Sequence, residues 1–166
     1  MKAIGTHSTN DEKQLEDYLT KISDWDKGSL YYEPVGGGIT NLNWRVLNKD
    51  NNKEYFIKVP GVGTEIFIDR KASLEANSLA AKIGLGPVVY DFLSEFGVEI
   101  YDFLHDHTTC TNSSFENLDT AKKVLEGYKK FHSAGNLSIV KSGIDLVEDH
   151  FKQLSEFKCE IPSDFE

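Results

Sequence analysis

The sequence predicts an α+β protein: a five-stranded antiparallel sheet, one helix set between its third and fourth strands, and helices only thereafter. Three observations carry the prediction. Two β-rich segments flank the turn Gly36-Gly37-Gly38 and a third ends in Ile57-Lys58-Val59-Pro60. A helical apolar stripe over residues 69–83 follows. The near-repeat Val89-Tyr90-Asp91-Phe92-Leu93 and Ile100-Tyr101-Asp102-Phe103-Leu104 then supplies two further strands, after which the apolar period is helical.

In chain order, Thr9-x-x-Glu12 forms a capping box for a first helix, with Leu15, Tyr18, Leu19 and Ile22 on the face that covers the sheet. Strands are expected near 30–35, 42–48 and 54–59, and the polar run 48–52 is the hairpin loop between the last two. The helix over 69–83 buries Ala72, Ala76, Leu79, Ala80 and Ile83 and stops at Gly84. The two later strands meet at a turn near Glu95-Phe96-Gly97. Residues 105–114 form a polar connector. A helix over 118–133 then aligns Leu118, Ala121, Leu125, Tyr128 and His132, where His132 reads as a hydrogen-bonded core histidine. A last helix holds Ile144, Val147, Phe151 and Leu154 on one side, and Pro162 to Glu166 reads as an open end.

The 166 residues are 39% hydrophobic, with ten Phe and seven Tyr, enough for one core. A formal charge of −9 argues against nucleic acid and anionic membrane as partners, which would repel the chain. It is compatible with a cationic small molecule. No apolar run has the length of a signal peptide or a membrane span, so the expectation is a cytoplasmic protein. The two cysteines, Cys110 and Cys159, are expected as reduced thiols. His105, His107 and Cys110 share a polar loop without a fourth ligand and read as solvated residues, so no metal site is assigned.

The chemistry sits in the glycine turn and the strand after it. Glycines let the backbone come close to an oxyanion and adopt positive φ, so that N–H groups converge on phosphate oxygens. Thr40 and Asn41 add short side chains that donate to phosphate or brace the turn. Lys58 shares a strand face with Phe56 and can reach the same phosphates. A plain hairpin and a solvated lysine would use the same residues, which leaves a structural or protein-interaction domain as the other class.

Gly37-Gly38-Ile39-Thr40-Asn41, Ile57-Lys58-Val59-Pro60-Gly61, Gly63-Thr64, Ile68-Asp69-Arg70-Lys71, and the run from Leu79 to Pro87 together resemble the choline/ethanolamine kinase family, within the aminoglycoside-phosphotransferase-like, protein-kinase-like superfamily. The likeness continues through 98–104 into Phe131-His132-Ser133, covering roughly residues 30–154. It implies a kinase-like N-terminal lobe with leading helix (1–104), then a hinge connector and the first helices of an incomplete C-terminal lobe (105–166). It also implies ATP with Mg2+: phosphates under Gly36, Gly37, Gly38, Thr40 and Asn41 and against Lys58, and adenine on the backbone around Asp102 and Leu104. Kinases hold the strand lysine with a carboxylate from the following helix, for which Glu75 is the candidate. An exposed surface glutamate would fit the helical wheel as well. The chain departs from the family pattern in two places. Lys58 stands where arginine is frequent, and Ser73 fills the slot, three residues after Arg70, that often carries the carboxylate.

A kinase of this kind needs a His-x-Asp loop, an Asn five residues after the Asp, and a second metal-binding Asp. None of His7, His105, His107, His132 and His150 begins such a loop, so no residue is assigned as catalytic base. Asp91-Phe92-Leu93 and Asp102-Phe103-Leu104 imitate a metal-binding Asp-Phe-Gly but come too early, and Asp164-Phe165-Glu166 ends the sequence. The expectation is the nucleotide-binding part of a kinase for choline, ethanolamine or a related amino alcohol, with little activity by itself. The rest of the site would come from the same or another chain. A non-catalytic nucleotide-binding module and a kinase for an aminoglycoside, sugar or homoserine are the alternatives.

Overall fold

A computed structural model describes residues 1–158 and 160. Cys159 and residues 161–166, with the Pro162–Glu166 end and Asp164-Phe165-Glu166, lie outside the described residues. The chain divides into two compact units, Met1–Asn136 and Leu137–Glu166.

The first unit is built on a six-stranded antiparallel sheet in the order β1-β2-β3-β4-β6-β5. Its strands are β1 (Lys2–Ala3), β2 (Leu30–Val35), β3 (Asn41–Asn48), β4 (Lys53–Pro60), β5 (Val89–Leu93) and β6 (Val98–Asp102). Five were expected; the sixth, β1, pairs two residues with Tyr31 and Tyr32 of β2 and is too short to leave a periodic signal. The tight loops use residues that tolerate positive φ: Asn52 (φ 53°) before β4 and Gly97 (φ 65°) before β6.

Alternation along β4 decides what each face does. Tyr55, Ile57 and Val59 are buried on one face, while Phe56, Lys58 and Pro60 point to the other. The buried face joins Leu30, Tyr32, Trp44, Val46, Val98 and Ile100 and packs on Leu15, Leu19, Ile22 and Trp25. Each such side chain contributes roughly 1.5–3 kcal/mol when fully buried. Trp25 packs on Tyr55 with ring centroids 4.5 Å apart, and its indole N–H donates to the Tyr90 hydroxyl at 3.1 Å.

Helix α1 (Asn10–Leu19) begins at Thr9, whose Oγ1 accepts from the Glu12 N–H at 3.2 Å. The reciprocal arm of the expected capping box goes elsewhere: Glu12 accepts from the Ser8 N–H at 2.6 Å and from Lys2 Nζ at 2.6 and 2.7 Å, tying β1 to α1. The Lys2 hydrogen bond, with help from Ser8, holds the Glu12 carboxyl well below its ordinary value of 4.5, at about 2. One turn on, burial pushes Glu16 up, but hydrogen bonds from Tyr32 (2.7 Å) and His7 (2.8 Å) outweigh it and leave a net depression.

Helix α2 (Arg70–Lys82) is capped by Asp69, which accepts from the Ala72 N–H at 2.9 Å. Its expected stripe of Ala72, Ala76, Leu79, Ala80 and Ile83 is half-buried throughout. Helix α3 (Leu118–His132) is capped by Asn117 but turns a different stripe inward than expected. Leu118, Leu125 and Tyr128 are 72%, 61% and 61% exposed, and His132 lies in solvent, so it is not a core histidine. The inward line is Val124, Gly127 and Phe131, which with Ala80, Leu85 and one side of Tyr128 lines a shallow open pocket. Gly127 faces Leu85 at ordinary van der Waals distance, 3.7 Å from where a Cβ would stand.

The second unit contains α4 (Gly143–Glu156), whose start is closed reciprocally by Ser142 and Asp145. Ile144, Val147 and Phe151 are exposed along it and Leu154 is half-buried. Among the described residues no helix is long and apolar enough to cross a membrane.

The depressed Glu12 carboxyl makes a testable statement. Its stabilisation is fully present above about pH 4.5 and is lost as pH falls towards about 2. Glu12→Gln should therefore lower the thermal midpoint at neutral pH, and the gap from wild type should close through that window. A gap that stayed constant down to pH 2 would exclude Glu12 as its source.

Candidate functional site

The sheet face opposite α1 carries the chemistry. Register places Val35, Asn43, Lys58 and Glu99 in one row across β2, β3, β4 and β6, and Glu33, Arg45, Phe56 and Tyr101 in the next. Cross-strand neighbours on one face are in contact range, so Lys58 meets whatever β6 supplies opposite it. That residue is Glu99. Lys58 Nζ lies 3.1 Å from Glu99 Oε1; the lysine side chain is 23% exposed, and the carboxylate is buried.

Glu99 collects donors from two elements. Ser73 Oγ of α2 approaches Oε1 at 3.3 Å, and Asn77 Nδ2 donates to Oε2 at 2.8 Å. The Tyr101 hydroxyl also donates to Oε2, and Asn77 reaches that hydroxyl at 2.7 Å. Burial, then the bond to Glu99, push the Tyr101 phenol far above its ordinary range, so it remains a proton donor. Glu75, the helix carboxylate expected from sequence, is half-buried on α2, two residues past Ser73. The acid 3.1 Å from Lys58 Nζ, Glu99, belongs to the sheet.

The glycine turn lies between β2 and β3, with Gly36, Gly37 and Gly38 exposed and Ile39 fully so. Gly37 takes φ 91°, and a Cβ on Gly38 would stand 2.2 Å from the Asn41 carbonyl oxygen. Only glycine fits there. The turn is braced from behind: the Gly61 N–H donates to the Thr40 carbonyl at 2.9 Å, Asn41 Nδ2 donates to Thr40 Oγ1 at 3.0 Å, and Arg70 reaches both Asn41 Oδ1 and Thr64 Oγ1. Asn41 pairs with Pro60 in the β3–β4 ladder, two residues along the strand from Lys58.

At the other end of this face, Val35, Phe56, Pro87, Asp102, Phe103 and Leu104 line an apolar cavity of about 280 Å³. Asp102 and Leu104 thus fall on the same cavity, bounded also by the residue that precedes Gly36. The Asp102 N–H donates to the Val88 carbonyl at 3.0 Å and the Phe103 N–H to the Glu54 carbonyl at 3.1 Å. Those bonds fix the segment after β6 against β4 and β5.

The remaining sequence candidates lie apart from this face or at its rim. Asp91 sits in β5, where its carboxylate accepts from the Phe92 N–H at 2.7 Å; β5 pairs antiparallel with β6 around a bulge at Val89/Asp91, and Phe103 and Leu104 of the second Tyr-Asp-Phe-Leu run lie past the end of β6. His105 stays by the rim of this face, its Nε2 3.3 Å from Glu54, which alternates with Phe56 on β4, and His107 Nδ1 lies 2.6 Å from the His105 carbonyl. Among the described residues no group of three or more His, Cys, Asp or Glu could hold a metal ion.

Sequence reasoning missed Glu99, Asn77 and Tyr101 around the lysine, and Val35, Phe56, Pro87 and Phe103 around the cavity. Two signals were available. Phe56 shares a face with Lys58 by the strand period, and Glu99 interrupts the apolar run Val98-x-Ile100-Tyr101, where an acid must find buried donors.

No protein-family model matches the chain. A probable choline kinase 2 of Arabidopsis thaliana is 27% identical over 130 residues, 72% of this chain and 36% of that protein. A probable ethanolamine kinase B of Dictyostelium discoideum is 34% identical over 67 residues, 39% of this chain and 15% of that protein. Among solved structures, the choline kinase LicA from Streptococcus pneumoniae superimposes with a TM-score of 0.65 at 23% identity, over 92% of this chain and 50% of that one. A structure of LicA in complex with AMP gives a TM-score of 0.63 at 20% identity, over 95% of this chain and 53% of that one. The chain spans about a third or less of the length of these sequence relatives and about half of these structures. Sequence relatives and fold neighbours alike are choline/ethanolamine kinases, and it is the N-terminal part of such a kinase that this chain matches.

Proposed function

We propose that the chain carries the nucleotide-binding part of an ATP-dependent small-molecule kinase that phosphorylates the hydroxyl of an amino alcohol such as choline or ethanolamine. One observation carries the reading: a lysine clamped by a buried acid, a braced glycine turn and an apolar slot share one sheet face. The slot suits a purine, with Val35 and Phe56 on the sheet and Phe103 and Leu104 beyond it. The Asp102 and Phe103 N–H groups are bound internally, so the Leu104 N–H is the donor this segment offers adenine.

Phosphates would lie under Gly36, Gly37 and Gly38, beside Thr40 and Asn41, and against the Lys58 ammonium, which supplies a point charge. The donor set fits a nucleotide. Among the described residues no group of three or more His, Cys, Asp or Glu could hold a metal ion; magnesium would accompany the nucleotide, with its carboxylate and amide ligands supplied by the complementing lobe. Glu75 remains a second acidic group on α2 that could tune this end of the site. In this reading residues 1–104 form the nucleotide-binding lobe, 105–166 begin the helical part, and the protein works in the cytoplasm.

Phosphoryl transfer to a hydroxyl relies on positioning and electrostatics around an aspartate base. The 166 residues contain no His-x-Asp loop, so they supply the donor side, and the acceptor side would come from a complementing helical lobe. The exposed Leu118, Leu125 and Tyr128 of α3 favour this over a self-contained binding module, which would cover them. The surplus of acidic side chains suits a cationic acceptor.

Isothermal titration with magnesium-ATP, run beside a γ-phosphate transfer assay with choline and ethanolamine, tests the reading. Binding without transfer is expected; no binding would refute a working nucleotide site, and transfer would refute the need for the missing loop. Lys58→Ala should weaken ATP by about tenfold or more in a chain that still folds, with a lowered thermal midpoint, since it removes a charge aimed at the phosphates and leaves Glu99 without its cation. Gly38→Ala should weaken ATP and also cost roughly 1–3 kcal/mol of stability, because its Cβ forces the turn off the Asn41 carbonyl. Unchanged affinity in both variants would remove the phosphates from this turn.

A further inference from the structure

We propose that Glu99 is a positioning residue of the nucleotide site: a buried sheet carboxylate that aims Lys58. The inference rests on the nucleotide reading of Lys58 and deepens it by giving the acid that clamps the lysine a role of its own.

The two oxygens of Glu99 have separate tasks. Oε2 is held by Asn77 Nδ2 at 2.8 Å and by the Tyr101 hydroxyl, which fixes the plane of the carboxylate from both the helix and its own strand. Oε1 is thereby presented to Lys58 Nζ at 3.1 Å, with the Ser73 hydroxyl at 3.3 Å beside it. Lysine carries a long stem with many rotamers, and one short contact to a fixed oxygen removes most of that freedom before a ligand arrives.

A carboxylate buried only to join α2 to the sheet would make the Asn77, Ser73 and Tyr101 bonds equally well. Position argues for more. Lys58 and Glu99 are direct partners in the β4–β6 ladder, so strand register brings the two side chains together and α2 orients the carboxylate between them. Ser73 then explains itself: its hydroxyl occupies the place beside Oε1 where a longer acid from the helix would compete for the same ammonium.

The test compares Glu99→Gln, Lys58→Ala and the double variant Ser73→Glu/Glu99→Gln with wild type, titrating magnesium-ATP and adenosine separately and recording thermal midpoints. Glu99→Gln should weaken ATP by about tenfold while adenosine changes by less than about twofold, and Ser73→Glu should restore most of the loss by returning a carboxylate to the ammonium. Parallel loss of ATP, adenosine and thermal midpoint without rescue would mean a purely structural acid. Wild-type ATP affinity in Glu99→Gln, with affinity lost in Lys58→Ala, would overturn the positioning role and leave the nucleotide site standing. A ligand-free readout separates the two ideas: mass-spectrometric labelling of Lys58 with an amine-acylating reagent should rise several-fold in Glu99→Gln. Unchanged labelling overturns the proposal even in a protein that binds no nucleotide.

Discussion

A carboxylate inside a sheet is tolerable only when its lone pairs are met, and Glu99 imposes that condition on everything around it. Taking an unpaired charge out of water costs several kcal/mol or more, so the cation and the neutral donors must all be in place. Lys58 answers from β4, Asn77 and Ser73 from α2, and Tyr101 from two residues along β6. The helix cannot slide along the sheet without uncovering part of that acid. The lysine cannot swing away without leaving it half-compensated. One buried group thus fixes both the docking of α2 and the direction of the basic side chain.

The two faces of the sheet divide the labour of the first unit. One is apolar and closed by α1 and the segment to Trp25; the other is polar in the middle and apolar at one end. Strand β4 belongs to both, since Tyr55, Ile57 and Val59 anchor it in the core while Phe56 and Lys58 face the cavity and the acid. Site geometry therefore inherits the rigidity of the core through a single strand. Arg70 does a similar service at the other end, joining the start of α2 to the loops at Asn41 and Thr64.

Much of this was legible in the sequence where local rules govern. The glycine turn, the three strands around it, the capped helix over residues 70–82 and the paired strands at 89–102 each follow from period, turn chemistry or cap residues. What escaped depends on register or on competition between faces. Glu99 meets Lys58 across 41 residues of sequence, and no local pattern tells which acid a lysine will oppose. Glu12 had two backbone N–H groups within reach and chose Ser8, because Lys2 on the short β1 pulls its carboxylate that way. Helix α3 carries two apolar lines, and only tertiary packing tells which turns inward: the one through Val124, Gly127 and Phe131 meets Ala80 and Leu85. The nearness of Asp102 and Leu104 to a slot was expected from family likeness; the Phe56 floor and Pro87 wall of that slot come from strand alternation and a loop the sequence leaves undefined.

The placement of the aromatic residues has an optical consequence. Both tryptophans of the chain, Trp25 and Trp44, are buried within Met1–Asn136, one packed between Tyr55 and Tyr90 and the other edge-on to Tyr32. Indole emission therefore reports the solvent-free interior of the sheet and its covering helix, and no indole chromophore belongs to Leu137–Glu166. A red shift during denaturation marks the opening of the sheet core alone. The second unit has to be followed by another signal, such as the helical ellipticity of α4.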